Sequence, residues 1–378
     1  MITLKENFDC CGCQACGDIC PRQAITFNAD DEGFWYPKVD VKKCIDCGLC
    51  EKICPFQKKY PCVKDMPVYA AINPENEVRR RSSSGGIFSM LAEQVVRDGG
   101  VVFGATFDEE WMVSHSVAET VDDILLFQGS KYVQSKVSGC YRNVKQYLNT
   151  GRKVLFSGTA CQIAGLKGFL LKEYENLITI DVVCHGVPSP GIWLEYITKL
   201  QSKSDISYIF FRDKRNSWRH YNFTVVFSNG TELSEEHNKN IYMQGFLHDY
   251  YLRPSCHHCR VKGKECGSDI TLGDFWGIEK IIPELNDDGG VSLILTHTNK
   301  GQNLIQGLSM PLYKTTFSQA VLTNTSVVAS TPMSKWRACF YERYKRGEGL
   351  NAIQEVLAQE RPSIIPRFVH RVKRIFKK

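Results

Sequence analysis

No stretch of this 378-residue chain stays apolar long enough to span a bilayer, and its first residues, MITLKENFDCCGC, lack the apolar centre of an export signal. The expected location is therefore the cytoplasm. Thiols stay reduced there, so the 17 cysteines do not read as a disulfide framework. A basic face is missing as well. The formal charge is +6, but residues 361–378 hold seven Lys and Arg and no acid, which leaves a net −1 for the rest. That distribution argues against a nucleic-acid partner, because the excess is a tail and not a patch. Within the tail, Phe368, Val369, Val372, Ile375 and Phe376 recur at helical spacing, with Arg371, Lys373, Arg374 and Lys377 on other faces. This suits peripheral contact with an anionic membrane, the plainer reading being a docked helix or a solvated tail. A composition of 43% hydrophobic and 23% charged residues is that of an ordinary globular protein, and the length allows two or three domains.

What is present is a cysteine ladder, twice. Cys10-x2-Cys13-x2-Cys16-x3-Cys20-Pro21 returns 34 residues later as Cys44-x2-Cys47-x2-Cys50-x3-Cys54-Pro55. In this spacing three close thiolates hold one [4Fe–4S] cluster and the fourth reaches across to the other. Cys10, Cys13, Cys16 and Cys54 are thus expected to hold one cluster, and Cys44, Cys47, Cys50 and Cys20 the second. Gly12, Ala15, Gly17 and Gly48 leave room for amide-to-sulfur hydrogen bonds. Cys11 breaks the register and is not expected to be a ligand. Zinc sites rarely use such a triple run. The aromatic run Phe34-Trp35-Tyr36 suits a shield beside the clusters.

After a linker at 56–68, alternating short strands and amphipathic helices indicate an α+β fold, a mixed α/β main domain behind a bacterial two-cluster ferredoxin-like domain. The expected domains are 1–60, 69–300 and a helical extension with the basic tail at 301–378. Ile87, Phe88, Leu91, Ala92, Val95 and Val96 form a helix stripe, residues 101–107 and 153–157 read as strands, 141–148 as a helix, and Asn229-Gly230 as a hairpin turn. Three groups of residues look chemical. Ser83, Ser84, Gly85 and Gly86, just before the helix, suit a phosphate or pyrophosphate cradle, the plainer reading being a serine N-cap. Cys161 and Cys184 each follow a strand and would emerge at one sheet edge if those strands are parallel. With Cys256 and Cys259 they suit a third [4Fe–4S] cluster. The alternative is two buried cysteines and a zinc knuckle using Cys256, His257 or His258, Cys259 and Cys266. Finally, Gly129, Ser130, Lys131 and Tyr132, His185, and Arg212 with Lys214 and Arg215 lie in polar loops. There Lys131 could neutralise a cofactor phosphate, the basic residues hold an anionic substrate, and His185 donate a proton.

Together RSSSGGIFSMLAEQVV, FQGSKYVQS, KVLFSGTACQIAGLKGFL, VVCHGVPSPGIW, YLRPSCHHC and SDITLGDFWGI resemble the coenzyme F420 hydrogenase/dehydrogenase beta-subunit family with a fused N-terminal ferredoxin, over residues 8–300. The resemblance implies FAD beside a cluster held by Cys161, Cys184, Cys256 and Cys259, with the SSGG turn and GSKY segment touching FAD. Ala160 stands where the family usually has proline, and CHGVPSP looks like the bacterial branch, some members of which accompany polysaccharide-synthesis genes. The implied activity is that of an iron–sulfur flavoprotein oxidoreductase, exchanging electrons between ferredoxin or another redox partner and a small two-electron substrate, F420-like or other. The alternatives are an electron-transfer subunit serving a separate catalytic partner, and a redox sensor or scaffold without flavin.

Overall fold

The computed structural model describes residues 1–57, 66–262 and 267–360. Most of the linker, Cys266 and the basic tail lie outside the described residues. In the N-terminal module two short helices, Ala15–Ile19 and Leu49–Lys52, flank a hairpin of β1 (Ile25–Ala29) and β2 (Trp35–Val39). Each ladder enters its helix through a residue of positive φ, Gln14 in the first and Gly48 in the second.

The main domain is mixed α/β, built on an eight-stranded sheet. Its strands are β3 (Val68–Ala71), β4 (Val101–Phe107), β5 (Val113–Ala118), β6 (Val154–Thr159) and β7 (Leu177–Val182). A separate three-stranded sheet of β8 (Ile206–Asp213), β9 (Asn222–Phe227) and β10 (Glu232–Glu236) follows. The chain then returns to the large sheet through β11 (Ile270–Asp274), β12 (Ser292–Thr296) and β13 (Tyr313–Thr315). The large sheet has the order β13-β3-β12-β11-β7-β6-β4-β5.

Its centre, β11-β7-β6-β4, is parallel, and both flanks are antiparallel. The parallel strands carry the unbroken apolar runs Val154-Leu155-Phe156 and Leu177-Ile178, as expected of strands covered on both faces. Helix Ile87–Arg97 covers one face with Ile87, Leu91, Ala92 and Val95, while Phe88 and Val96 of the expected stripe are only partly buried. Helix Cys140–Asn149 and helix Ala160–Leu170 cover the other. The Asn229-Gly230 turn does join β9 to β10. An aromatic core of Trp193, Phe211, Phe223, Tyr242 and Tyr251 fixes the smaller sheet and also takes in Phe340, Ile353 and Val356 from the C-terminal region.

The N-terminal module sits on helix Ala160–Leu170. A Cβ on Gly165 would come 2.9 Å from Cys13 Cβ, and one on Gly168 would come 2.4 Å from the Ile53 carbonyl oxygen. Only bare backbone permits that approach. The hairpin turn of the module is clamped by Arg337, whose guanidinium donates to both carboxylate oxygens of Glu32, one at 2.8 Å. Among the described residues no helix is long and apolar enough to cross a membrane.

Candidate cluster and cofactor sites

The parallel pairing of β6 with β7 brings their C-terminal ends together, and Cys161 and Cys184 follow those ends. Cys161 is in the first turn of helix Ala160–Leu170. Thr159 and Gln162 form a capping box there, and Ala160 takes the N1 place where proline is otherwise favoured. Cys256 lies in the short helix Pro254–His258 and Cys259 closes it. All four thiols line one cavity with Cys11. Val187 N–H donates to Cys256 Sγ at 3.4 Å, and Thr159 Oγ1 lies 3.1 Å from Cys161 Sγ. Burial pushes the Cys184, Cys256 and Cys259 thiols up, so as free thiols they would stay protonated. Cys11 comes within hydrogen-bonding reach of both Cys13 and Cys161, joining the ladder to this cavity. Its position was not legible in the spacing. The histidines of the zinc alternative are absent from the cavity wall: His257 Nδ1 meets the Thr331 carbonyl at 2.9 Å, and His258 packs on Phe8. Among the described residues no three His, Cys, Asp or Glu side chains close on a single ion.

In the N-terminal module Cys20, Cys44, Cys47 and Cys50 line one small cavity, the set expected from the crossed ladder. Cys47 is exposed, as are Val41 and Ile45 a few residues before it. Cys16 lies near Cys10 and Cys54, and burial pushes its thiol up. Amide-to-sulfur bonds run from Gly12 to Cys10 and from Ala24 to Cys20, at 3.4 and 3.3 Å.

A second, larger cavity of about 300 Å³ opens at the C-terminal ends of the four parallel strands, where α/β sheets usually bind ligands. Ser83, Ser84, Gly86, Gly129, Ser130, Lys131 and Tyr132 line it. The SSGG and GSKY segments meet directly, Ser130 N–H donating to Ser83 Oγ at 2.7 Å. Gly86 caps helix Ile87–Arg97 at φ 85° without a side-chain cap, so the serine N-cap reading does not hold. Gly85 does not line the cavity. It packs backbone to backbone, a Cβ there meeting Ala71 O and Ser292 N at 2.6 Å each.

His185 lines both cavities, with Cys184, Gly186 and Val187 beside it. Its Nε2 pairs with Asp249 Oδ1 at 2.6 Å. Arg212 and Lys214, expected to face a substrate, line neither cavity. The Arg212 guanidinium donates to Asp274 Oδ2 at 2.5 Å and stacks on Tyr221 and Trp276. Lys214 Nζ donates to the carbonyls of Arg79, Ser84 and Gly289 at 2.7–3.0 Å, pinning the serine turn from behind. Burial, then the Arg212 charge, push this amine down to about 7. Lys131 does face the cavity, and burial alone pushes it to about 7. Such an amine regains its charge beside an anion.

His115 of β5 also lines the cavity and was not picked out by the sequence, because one histidine in an alternating strand carries no signal. Its Nδ1 lies 2.7 Å from Ser135 Oγ and its Nε2 2.9 Å from the Ser157 carbonyl. The carbonyl can only accept, so Nε2 carries the proton and Nδ1 accepts from the serine. Burial pushes its pKa down to about 4. The unfolded chain takes up this proton as pH falls through about 6.5, whereas the folded chain waits until about 4, so stability is lost on acidification across that window. The loss attributable to His115 is expected to reach about 2–3 kcal/mol. Urea midpoints between pH 7 and 4.5 should therefore fall less steeply for His115→Gln, and equal slopes would refute the assignment.

This fold and these thiols define an iron–sulfur electron-transfer protein. A family model for a 4Fe-4S dicluster domain matches residues 9–58. The N-terminal and C-terminal models of the coenzyme F420 hydrogenase/dehydrogenase beta subunit match residues 68–141 and 151–316, together more than half of the chain. The chain belongs to that beta-subunit family. An uncharacterised ferredoxin of Methanocaldococcus jannaschii is 37% identical over 52 residues, 14% of this chain; the chain spans 66% of that ferredoxin's length. A chain in the structure of the F420-reducing [NiFe] hydrogenase complex from Methanosarcina barkeri aligns at 16% identity and a TM-score of 0.46, over 80% of this chain and 92% of that one.

Proposed function

We propose that the chain is an iron–sulfur flavoprotein oxidoreductase that exchanges electrons between a ferredoxin-type partner and a small two-electron substrate. The observation that carries this reading is the shared wall Cys184–Val187, which separates the thiol-lined cavity from the larger one. Cys161, Cys184, Cys256 and Cys259 would hold a third [4Fe–4S] cluster, leaving Cys11 as a neighbour. Ser83, Gly86 and Ser130 would cradle the FAD pyrophosphate at the N-terminus of helix Ile87–Arg97, with Lys131 supplying positive charge. When bound, FAD would convert one-electron traffic through the clusters into two-electron exchange with the substrate. Asp249 holds His185 Nε2 and Thr331 Oγ1 lies 3.4 Å from Nδ1, so the ring is fixed in place at the cavity wall, where it would orient a bound substrate. Arg212 and Lys214 support the site through the structure around it. The exposed Cys47 with Val41 and Ile45 makes the outer cluster the docking port for the partner. The open cavity lined by His185 favours a chain that turns over a substrate itself over a relay subunit. A deazaflavin of the F420 class, or another hydride-exchanging small molecule, fits the family.

Anaerobic purification followed by iron and flavin analysis tests this. The expected content is about twelve irons and one FAD per chain. About eight irons without flavin would overturn both the third cluster and the flavin chemistry.

A further inference from the structure

Arg253 is fully buried, at 0% exposure, where the N-terminal module meets the main domain. Its guanidinium donates to Cys10 O at 2.8 Å, Gln134 Oε1 at 3.0 Å and Trp35 O at 3.1 Å, and lies 4.2 Å over the Tyr36 ring. Its side chain thus reaches the N-terminal module, while its own backbone is held within the main domain. Arg253 N–H donates to the carbonyl of Val187 in the shared wall, and its carbonyl accepts from Cys256 N–H, each at 2.9 Å. The other largely buried arginines, Arg79, Arg212 and Arg337, are each paired with a carboxylate, Asp287, Asp274 and Glu32 in turn. Arg253 meets only neutral oxygens among the described residues. Burial works against its charge, while the Cys10, Cys11 and Cys256 thiols and the Tyr36 phenol work for it.

A buried cation without an anion is costly, so a negative charge is expected beside it. The surrounding residues indicate which. Cys10 is an expected ligand of the inner ferredoxin cluster, that of Cys10, Cys13, Cys16 and Cys54, and Cys256 of the third; a thiolate-bound cluster is anionic and gains one more negative charge on reduction. Net charge and hydrogen bonding are the terms that set such potentials. Resting on the three-cluster reading above, we propose that Arg253 is the fixed countercharge shared by the inner and third clusters, holding both potentials up so that electrons from the exposed outer cluster run inward. Each transfer oxidises one centre by one electron as it reduces the next, supplied by a ferredoxin-type donor, with no bond broken and no proton required.

The test is a spectroscopically monitored redox titration of the full, anaerobically purified chain. Gln134→Glu places a carboxylate against the guanidinium without removing it, and Arg253→Met removes the charge. Both are expected to shift the reduction equilibrium of the inner cluster at least about tenfold towards the oxidised form, about 59 mV for one electron. Arg253→Lys should stay near the wild type, and the outer cluster should not move. Unchanged potentials in Gln134→Glu at full iron content overturn the proposal, and that variant decides the matter if Arg253→Met fails to fold. If only two clusters titrate in the wild type, the third-cluster reading fails separately, and the inner-cluster shift still tests Arg253.

Discussion

Cys161→Ser is expected to lose about four of about twelve irons, retain FAD, and leave flavin reduction by a reduced ferredoxin-type donor at background. Cys161 is the only thiol of its cavity mounted on the helix that also carries the N-terminal module, so it stands between the ladder and the shared wall. A serine hydroxyl keeps the approach to Thr159 Oγ1 but binds iron poorly, so the helix should persist while the site empties. Cys259→Ser should behave the same way. Cys11→Ser should keep its iron, since four ligands remain. Full iron and a normal rate of flavin bleaching in Cys161→Ser would sink the assignment.

The second large effect is expected from Gly168→Val. At 2.4 Å the added Cβ meets a backbone carbonyl, Ile53 O, which cannot rotate away as a side chain would. Overpacking of this kind costs about 1–3 kcal/mol before the extra methyls are counted. Removing glycine from a helix returns less than about 1 kcal/mol when the replacement is β-branched. The clash wins, and the helix and the module must part. The expected variant keeps the iron of its N-terminal ladders, melts at lower temperature, and passes electrons to the flavin slowly when those ladders are reduced first. A melting temperature and a stopped-flow rate equal to wild type would show that the module does not dock on this helix.

Local signals in the sequence served well wherever chemistry and spacing coincide. The crossed ladder anticipated the four thiols around the outer cavity, and the strand-end positions of Cys161 and Cys184 needed only the parallel pairing to meet. The helix after SSGG, the strand at 101–107 and the Asn229-Gly230 hairpin follow from periodicity and turn chemistry. What eluded the sequence depends on long-range packing. Arg212 and Lys214 look like substrate-binding charges in a basic loop, yet tertiary contacts turn one onto Asp274 and the other onto three carbonyls. Gly85 looks like part of a cradle but is set by its approach to β3 and β12. Arg253 lies in a loop of ordinary appearance, and its partners are as far as 243 residues away.

The Glu32–Arg337 clamp also imposes an order on the life of the chain. Its two halves are 305 residues apart. At about 5–20 residues per second, the ribosome makes the second roughly 15–60 s after the first. During that interval the ladder cysteines are synthesised while helix Ala160–Leu170, whose Gly165 packs on Cys13, and the Arg337 clamp are still to be made. Iron and sulfide can reach the inner site then without displacing anything. Once that helix has docked and Arg337 has closed on Glu32, Cys13 is covered, and a cluster lost to oxidation is expected to be rebuilt only by reopening that interface. Loading during synthesis, and slow repair afterwards, are the expected consequences of building that interface from segments so far apart in the chain.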